Sequence, residues 1–228
     1  YATGFNHKAF KYIKTQATRA SERLADERGE APDVSGSGRR NANLLAVAPN
    51  ASSSIICGGT SPSIEPYRAN VYTHKTLSGS FQVKNKYLEE LLADKKLNKT
   101  DLKNVWKDIA GNEGSVQHLD ILTDDEKEIF KTANEIDQMW IVEHAAQRQD
   151  YICQAQSVNL FFTIPTATEK QEVHDEYMQY VNDVHWYGMN KLKSLYYFRT
   201  NAARNAENVN LKVQRIKLDD VECIACEG

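Results

Sequence analysis

Three short stretches of the sequence hold residue types that could do chemistry. The first, Pro49-Asn50-Ala51-Ser52-Ser53-Ser54, follows an apolar run and combines small side chains, which leave backbone N–H groups open, with three hydroxyls. Such a nest suits a phosphate or diphosphate. The same composition also makes an ordinary polar turn, which is its commoner use, and no Gly-Lys-Ser follows to make a Walker loop. The second stretch is Tyr196-Tyr197, adjacent phenols that composition assigns equally to a core aromatic pair or to redox use. The third is Cys223-Ile224-Ala225-Cys226, whose spacing can close a disulfide or supply half of a zinc site. No second Cys or His pair lies nearby, which argues against zinc. A C-x-x-C near the chain's end, away from any strand–helix context, fits a dithiol that swings toward another site. The six histidines (His7, His74, His118, His144, His174, His185) show no ligand spacing such as H-E-x-x-H, and no Ser/His/Asp grouping stands out, so no metal site is expected.

These stretches need elements to position them. Phe10, Ile13, Ala17, Ala20 and Leu24 recur at steps of three and four, a helical pattern almost from the first residue, as if the chain starts inside a larger fold. Arg28 to Arg40, with Pro32 and Ser35-Gly36-Ser37-Gly38, reads as a loop. Leu44 to Ala48, bounded by Pro49, reads as a buried strand that delivers the small-residue loop. An extended piece is expected near Val71 to Thr76, with helical pieces at Tyr87–Leu92 and Leu102–Ile109. Thr123 and Glu126 form a candidate capping box, starting a helix with Ile129, Ala133, Ile136 and Trp140 on one face and an end near Tyr151. Val158 to Ile164, closed by Pro165, predicts a second buried strand. A long helix from about Glu169 to Ser194, striped by Tyr177, Val181, Val184 and Gly188, leads to a third strand at Leu195-Tyr196-Tyr197-Phe198. Strand, long helix, strand argues for an α/β sheet or barrel. From Asn201 to Gly228 periodic apolar content fades and a mobile tail is expected.

Composition narrows the function classes. With 28 Lys+Arg against 31 Asp+Glu, the formal charge of -3 gives no polybasic field for nucleic acid. At 228 residues and 41% hydrophobic, the chain can bury a real core, as one domain or one plus a small appendage. No apolar run approaches the roughly 20 residues that span a bilayer, and Tyr1 to Lys14 is too polar for a signal peptide. Four cysteines (Cys57, Cys153, Cys223, Cys226) are too few for a disulfide framework and fit a reducing cytoplasm.

In order and spacing, the pieces resemble one family. Asn43-Leu44-Leu45-Ala46-Val47-Ala48 leading into Pro49 to Ser54, then Ser63-Ile64-Glu65-Pro66, resembles the substrate diphosphate loop of class I ribonucleotide reductase large subunits. Tyr72-Thr73, Leu77-Ser78-Gly79 and Gln156-Ser157-Val158-Asn159-Leu160 are similar to the eukaryotic and T-even-phage branch of that family. So are His185-Trp186-Tyr187-Gly188, Lys193, Leu195-Tyr196-Tyr197 and Arg199-Thr200.

The resemblance implies a ten-stranded α/β barrel whose later strands lie in residues 1–200, followed by a flexible redox-active tail, 201–228. It implies that Pro49, Asn50, Ala51, Ser52 and Ser53 cradle the diphosphate of a ribonucleoside diphosphate on its way to the 2'-deoxy product. Tyr196 and Tyr197 would relay an oxidising equivalent from a di-iron, radical-bearing small subunit. Two phenols in contact can pass a hydrogen atom without building charge, which agrees with that role. Cys223 and Cys226 would reduce the active-site disulfide and be restored by thioredoxin or glutaredoxin. Their two-residue spacing is shorter than in some members, so this role rests on position and chemistry. No cofactor would be bound by this chain, and its place would be the cytoplasm, that of the host if phage-encoded. The thiyl-radical cysteine and the effector regions would precede Tyr1, on an amino-terminal partner or a missing part, while Cys57 and Cys153 read as structural. Competing readings are an assembly piece that only completes a partner's barrel, and a thiol oxidoreductase built on Cys223 and Cys226.

Overall fold

The computed structural model describes residues 2–76 and 79–202. The first apolar stripe becomes helix α1, Ala2–Arg28, closed by Gly29, whose N–H donates to the Ala25 carbonyl at 2.8 Å and whose φ of 79° turns the chain out of the helix. Near its start, Asn6 Nδ2 donates to the His144 carbonyl at 2.9 Å, and the His7 ring meets Tyr151 edge-on at 5.2 Å. The segment beyond Gly29 is a loop with one 3-10 turn, Pro32–Val34.

Leu44 to Ala48 does not form the expected strand. Only Val47 makes a bridge, parallel, to Gln156. The Leu44 and Leu45 amides donate to Cys153 Sγ, at 2.9 and 3.1 Å, so these two N–H groups are not available to a ladder there. Further on, Val47 N–H donates to Ala155 O and Ser157 N–H to Val47 O, fixing the point from which the small-residue loop leaves. That loop ends in one helical turn, α2, Ser53–Ile56.

A satellite lobe follows. Strands β1, Val71–Thr76, and β2, Gly79–Lys84, pair antiparallel with Val71 opposite Lys84. Helix α3, Lys86–Asp94, starts at Asn85, whose side chain accepts from Tyr87 N–H, and α4, Lys99–Gly111, starts at Asn98 in the same manner. Their apolar stripes bury Leu88, Leu92, Trp106 and Ile109 with Val71, Val116, Leu119 and Phe130. Asn70 is the lobe's internal polar tie, donating to Gly114 O at 3.0 Å and Phe130 O at 2.7 Å. Gly114, with φ of 85°, lies so close that an added Cβ would sit 2.4 Å from the Ala69 Cβ.

The capping box forms as expected around Thr123 and Glu126, but its helix is short: α5, Asp124–Ile129. The long helix expected to run on to Tyr151 is two helices, the second being α6, Gln138–Gln149, capped by Asp137. Between them the chain makes other bonds, with Thr132 N–H and Oγ1 donating to Glu135 and Ala133 N–H to Tyr67 O. The expected stripe is split accordingly: Ala133 is fully buried, whereas Ile129 and Trp140 are 74% and 57% exposed.

The remaining elements are a βαβ unit. Strand β3, Leu160–Ile164, helix α7, Gln171–Lys191, and strand β4, Phe198–Ala202, place Leu160 beside Phe198 in a parallel pair. Val142 and Ala145 of α6 and Val184 of α7 pack with Val158, Leu160, Phe162 and Leu192. β4 begins three residues later than expected, because the Tyr197 amide is taken by a side chain, that of Asn159, and not by a neighbouring strand. Among the described residues, parallel pairing amounts to β3 with β4 and the bridge at Val47, a section of an open α/β layer.

Candidate functional site

The Pro49–Ser53 stretch is an exposed loop resting on buried Ser54. Asn50 takes a φ of 51°, a left-handed conformation that asparagine tolerates, and its carbonyl accepts from Ser54 N–H at 3.0 Å. Ser54 Oγ donates to Ala51 O at 3.2 Å. The turn thereby closes on itself, and the amides of Ala51, Ser52 and Ser53 have no hydrogen-bond partner among the described residues. Three consecutive free N–H groups at a tight turn can wrap an anion.

A cavity of about 830 Å³ adjoins this loop, a size that admits a nucleotide. Its wall includes Ala51, Ser54, Glu65, Tyr67, Arg68 and Thr200. Glu65 is 8% exposed and accepts a hydrogen bond from Asn159 Nδ2. Burial pushes its carboxyl above the usual range, and the bond from Asn159, with the nearby Arg199 and Arg68 charges, only partly offsets this. The preceding residues are wound tightly: Ser63 and Ile64 have φ of 53° and 60°, the second a β-branched residue in a region it disfavours. Ser63 Oγ donates to Ser157 O, fastening this strained turn to the chain entering β3.

Tyr196 and Tyr197 lie just before β4 with ring centroids 4.1 Å apart and planes tilted by 46°. They are 44% and 51% exposed, so the burial expected of a core pair is absent within this chain. Tyr196 N–H donates to Val158 O and Leu160 N–H to Tyr197 O, both at 2.9 Å. The Tyr197 phenol beside it, through a side-chain hydrogen bond and charge repulsion, pushes Tyr196 above the ordinary phenol range. Arg199 stacks on the Tyr197 ring, its Cζ 5.2 Å from the centroid. On the other side of the segment, Gly188 of α7 permits close approach: an added Cβ would sit 3.1 Å from both Leu195 methyl carbons.

The fold thus brings the loop and Glu65 to one cavity and connects them through Asn159 to the phenol pair. Cys223 and Cys226 lie outside the described residues. Cys153 anchors the Leu44–Leu45 amides, and Cys57 is exposed. Among the described residues no three His, Cys, Asp or Glu side chains gather as metal ligands. Arg68 was not singled out in the sequence; its place two residues beyond Ser63-Ile64-Glu65-Pro66 was the available signal. Asn159 and Arg199 were visible only as parts of matching motifs.

A parallel βαβ unit carrying these features places the chain in the α/β class. Comparison with known proteins fixes the family. The family model described as ribonucleotide reductase, barrel domain, matches residues 30–198. The chain is 44% identical over 219 residues to a putative ribonucleoside-diphosphate reductase large subunit of frog virus 3, covering 96% of this chain and 36% of that relative. To the large subunit of invertebrate iridescent virus 3 it is 42% identical over 227 residues, covering 98% of this chain and 34% of the relative. Among solved structures, the alpha subunit of the Actinobacillus ureae class Id ribonucleotide reductase superposes with a TM-score of 0.70 at 40% identity, over 88% of this chain and 34% of that one. The chain belongs to the ribonucleotide reductase large-subunit family and corresponds to part of its barrel domain. It spans about a third of the length of these relatives. No helix among the described residues is long and apolar enough to cross a membrane.

Proposed function

We propose that this chain supplies the later part of the catalytic barrel of a ribonucleoside-diphosphate reductase, active when joined to the rest of the large subunit and a radical-bearing small subunit. The observation that carries this is the loop with three free amides beside a nucleotide-sized cavity, linked by one side chain to a phenol pair in ring contact. In this reading Pro49, Asn50, Ala51, Ser52 and Ser53 hold the substrate diphosphate, the amides of Ala51 to Ser53 turned toward its oxygens. Tyr196 and Tyr197 pass the oxidising equivalent as a hydrogen atom, delivered by a di-iron small subunit. Residues 1–200 act as barrel and 201–228 as a tail whose Cys223 and Cys226 carry reducing equivalents from thioredoxin or glutaredoxin, in the cytoplasm. Ring contact at 4.1 Å supports the relay, since a hydrogen atom passes directly only between phenols that touch.

The test is complementation. The chain alone should not reduce ribonucleoside diphosphates, because the hydrogen-abstracting cysteine lies elsewhere in this reading; with the remainder of the large subunit and the small subunit it should. Turnover by the pure chain would overturn the division of labour, and no turnover in the assembled enzyme would overturn the proposal. Changing Cys223 and Cys226 to Ser should then stop multiple turnovers driven by the protein reductant and spare slow turnover with dithiothreitol, which is small enough to enter the barrel. Equal activity with the protein reductant would remove the shuttle role.

A further inference from the structure

One buried side chain touches both halves of the site. Asn159 is 6% exposed and follows Val158, the residue whose carbonyl accepts from Tyr196. Its Oδ1 accepts the Tyr197 amide at 3.2 Å, and its Nδ2 donates to the Glu65 carboxylate in the cavity wall. A primary carboxamide is well suited to this position, since one planar group offers an acceptor to an N–H and a donor to a carboxylate at the same time. Aspartate would offer two acceptors, and leucine none. Glu65 is also within electrostatic reach of Arg68, which shares the cavity wall, and of Arg199, which stacks on Tyr197.

We propose that Asn159 is a positioning residue that couples occupancy of the cavity to the placement of the phenol pair; this rests on the reading of the cavity as the substrate site and of Tyr196 and Tyr197 as the relay. An occupant that draws on Glu65 or Arg68 changes the pull on Asn159 Nδ2. The rigid amide plane carries that change to the Tyr197 peptide. The pair's other restraints lie close by: Tyr196 N–H and Tyr197 O are tied to the chain around Asn159, Arg199 stacks on the Tyr197 ring, and the rings are half-exposed. A shift of a few tenths of an ångström is enough to matter when two rings exchange a hydrogen atom, because transfer falls steeply with distance and alignment. Substrate binding would thereby favour radical arrival at Tyr197, and an empty cavity would disfavour it.

The test uses the assembled reductase carrying 3-aminotyrosine at position 197, a more easily oxidised phenol whose radical is read by electron paramagnetic resonance. In the parent, substrate should raise the yield of that radical at least threefold. With Asn159→Ala the yield should be the same with and without substrate, turnover of the natural-tyrosine enzyme should fall about tenfold, and the substrate KM should stay within twofold. Should Asn159→Ala fail to assemble, Glu65→Gln serves. It keeps an oxygen for Asn159 Nδ2 to donate to and removes the charge the occupant draws on, so substrate dependence should fall while the fold is kept. A radical yield in either variant that still rises with substrate as in the parent would overturn the coupling. Absence of any radical at position 197 in the parent would instead overturn the relay reading on which it stands.

Discussion

Two glutamines on the same helix should respond oppositely to the same substitution. Gln138 is 2% exposed and opens α6. Its Nε2 donates to Ala133 O at 2.8 Å and Ile136 O at 2.6 Å, and its Oε1 accepts the Phe161 amide of β3 at 2.8 Å. One side chain therefore both closes the break between α5 and α6 and ties that break to the barrel strand. Gln138→Leu, close in volume, strands the buried Ala133 carbonyl and Phe161 amide, at about 1–3 kcal/mol for each unsatisfied group. The Ile136 carbonyl is partly open to water and costs less. Greater apolar burial offsets about 1 kcal/mol, leaving a net loss of about 3 kcal/mol. With a urea slope of about 2 kcal/mol/M, the unfolding midpoint should fall by about 1.5 M. Gln147 is the contrast: its Oε1 is buried with no partner among the described residues, and its Nε2 donates only to Glu143. Gln147→Leu removes an unsatisfied acceptor and should leave the midpoint unchanged or raise it. Urea denaturation followed by circular dichroism on the full chain decides. A midpoint lowered more by Gln147→Leu than by Gln138→Leu would refute this account of the α5–α6 break.

Gly188→Val should push Leu195 away from α7 and carry Tyr196 with it. Turnover of the assembled enzyme should fall at least tenfold with the substrate KM little changed, and stability should drop by about 1–3 kcal/mol from overpacking. Glu65 should make stability depend on pH in the sense opposite to an ion-paired carboxylate. Burial holds its folded carboxyl above the ordinary carboxylate value, so folding carries no penalty below that ordinary value and a full one above the folded value. Glu65→Gln should therefore melt higher than the parent at neutral pH, with the difference vanishing below about pH 4.5, as a thermal melt series would read.

The first strand and the long helix of the βαβ unit were legible because their signals are local and strong, an apolar run closed by Pro165 and a long amphipathic stripe, whereas of the expected strand Leu195–Phe198 only Phe198 lies in β4. Helix α1 and the capping box at Thr123 were legible for the same reason. What escaped was decided by side chains acting on backbone groups distant in sequence. The Leu44–Ala48 run has the composition of a strand, yet the Cys153 thiol, 109 residues from Leu44, claims the amides a ladder would use. In the sequence the 3.6-residue stripe runs unbroken through Ile129, Ala133, Ile136 and Trp140, because periodicity is blind to Thr132, Glu135 and Gln138 capturing the intervening backbone. Within the candidate site, small residues and paired phenols declare themselves by type. Asn159 does not, since its meaning lies in two contacts, 94 residues away to Glu65 and 38 to Tyr197.

Tyr197→Phe distinguishes a hydrogen-atom relay through Tyr196 and Tyr197 in the assembled reductase from mere packing of the two rings. The ring, its contact with Tyr196 and its stacking against Arg199 all remain, and only a half-exposed hydroxyl is lost, so stability should change by less than about 0.5 kcal/mol. Ribonucleoside diphosphate binding should be unchanged, while turnover should fall by at least a hundredfold, about 2.7 kcal/mol or more of barrier. Retention of most of the parent's turnover, with assembly and binding intact, would contradict the relay.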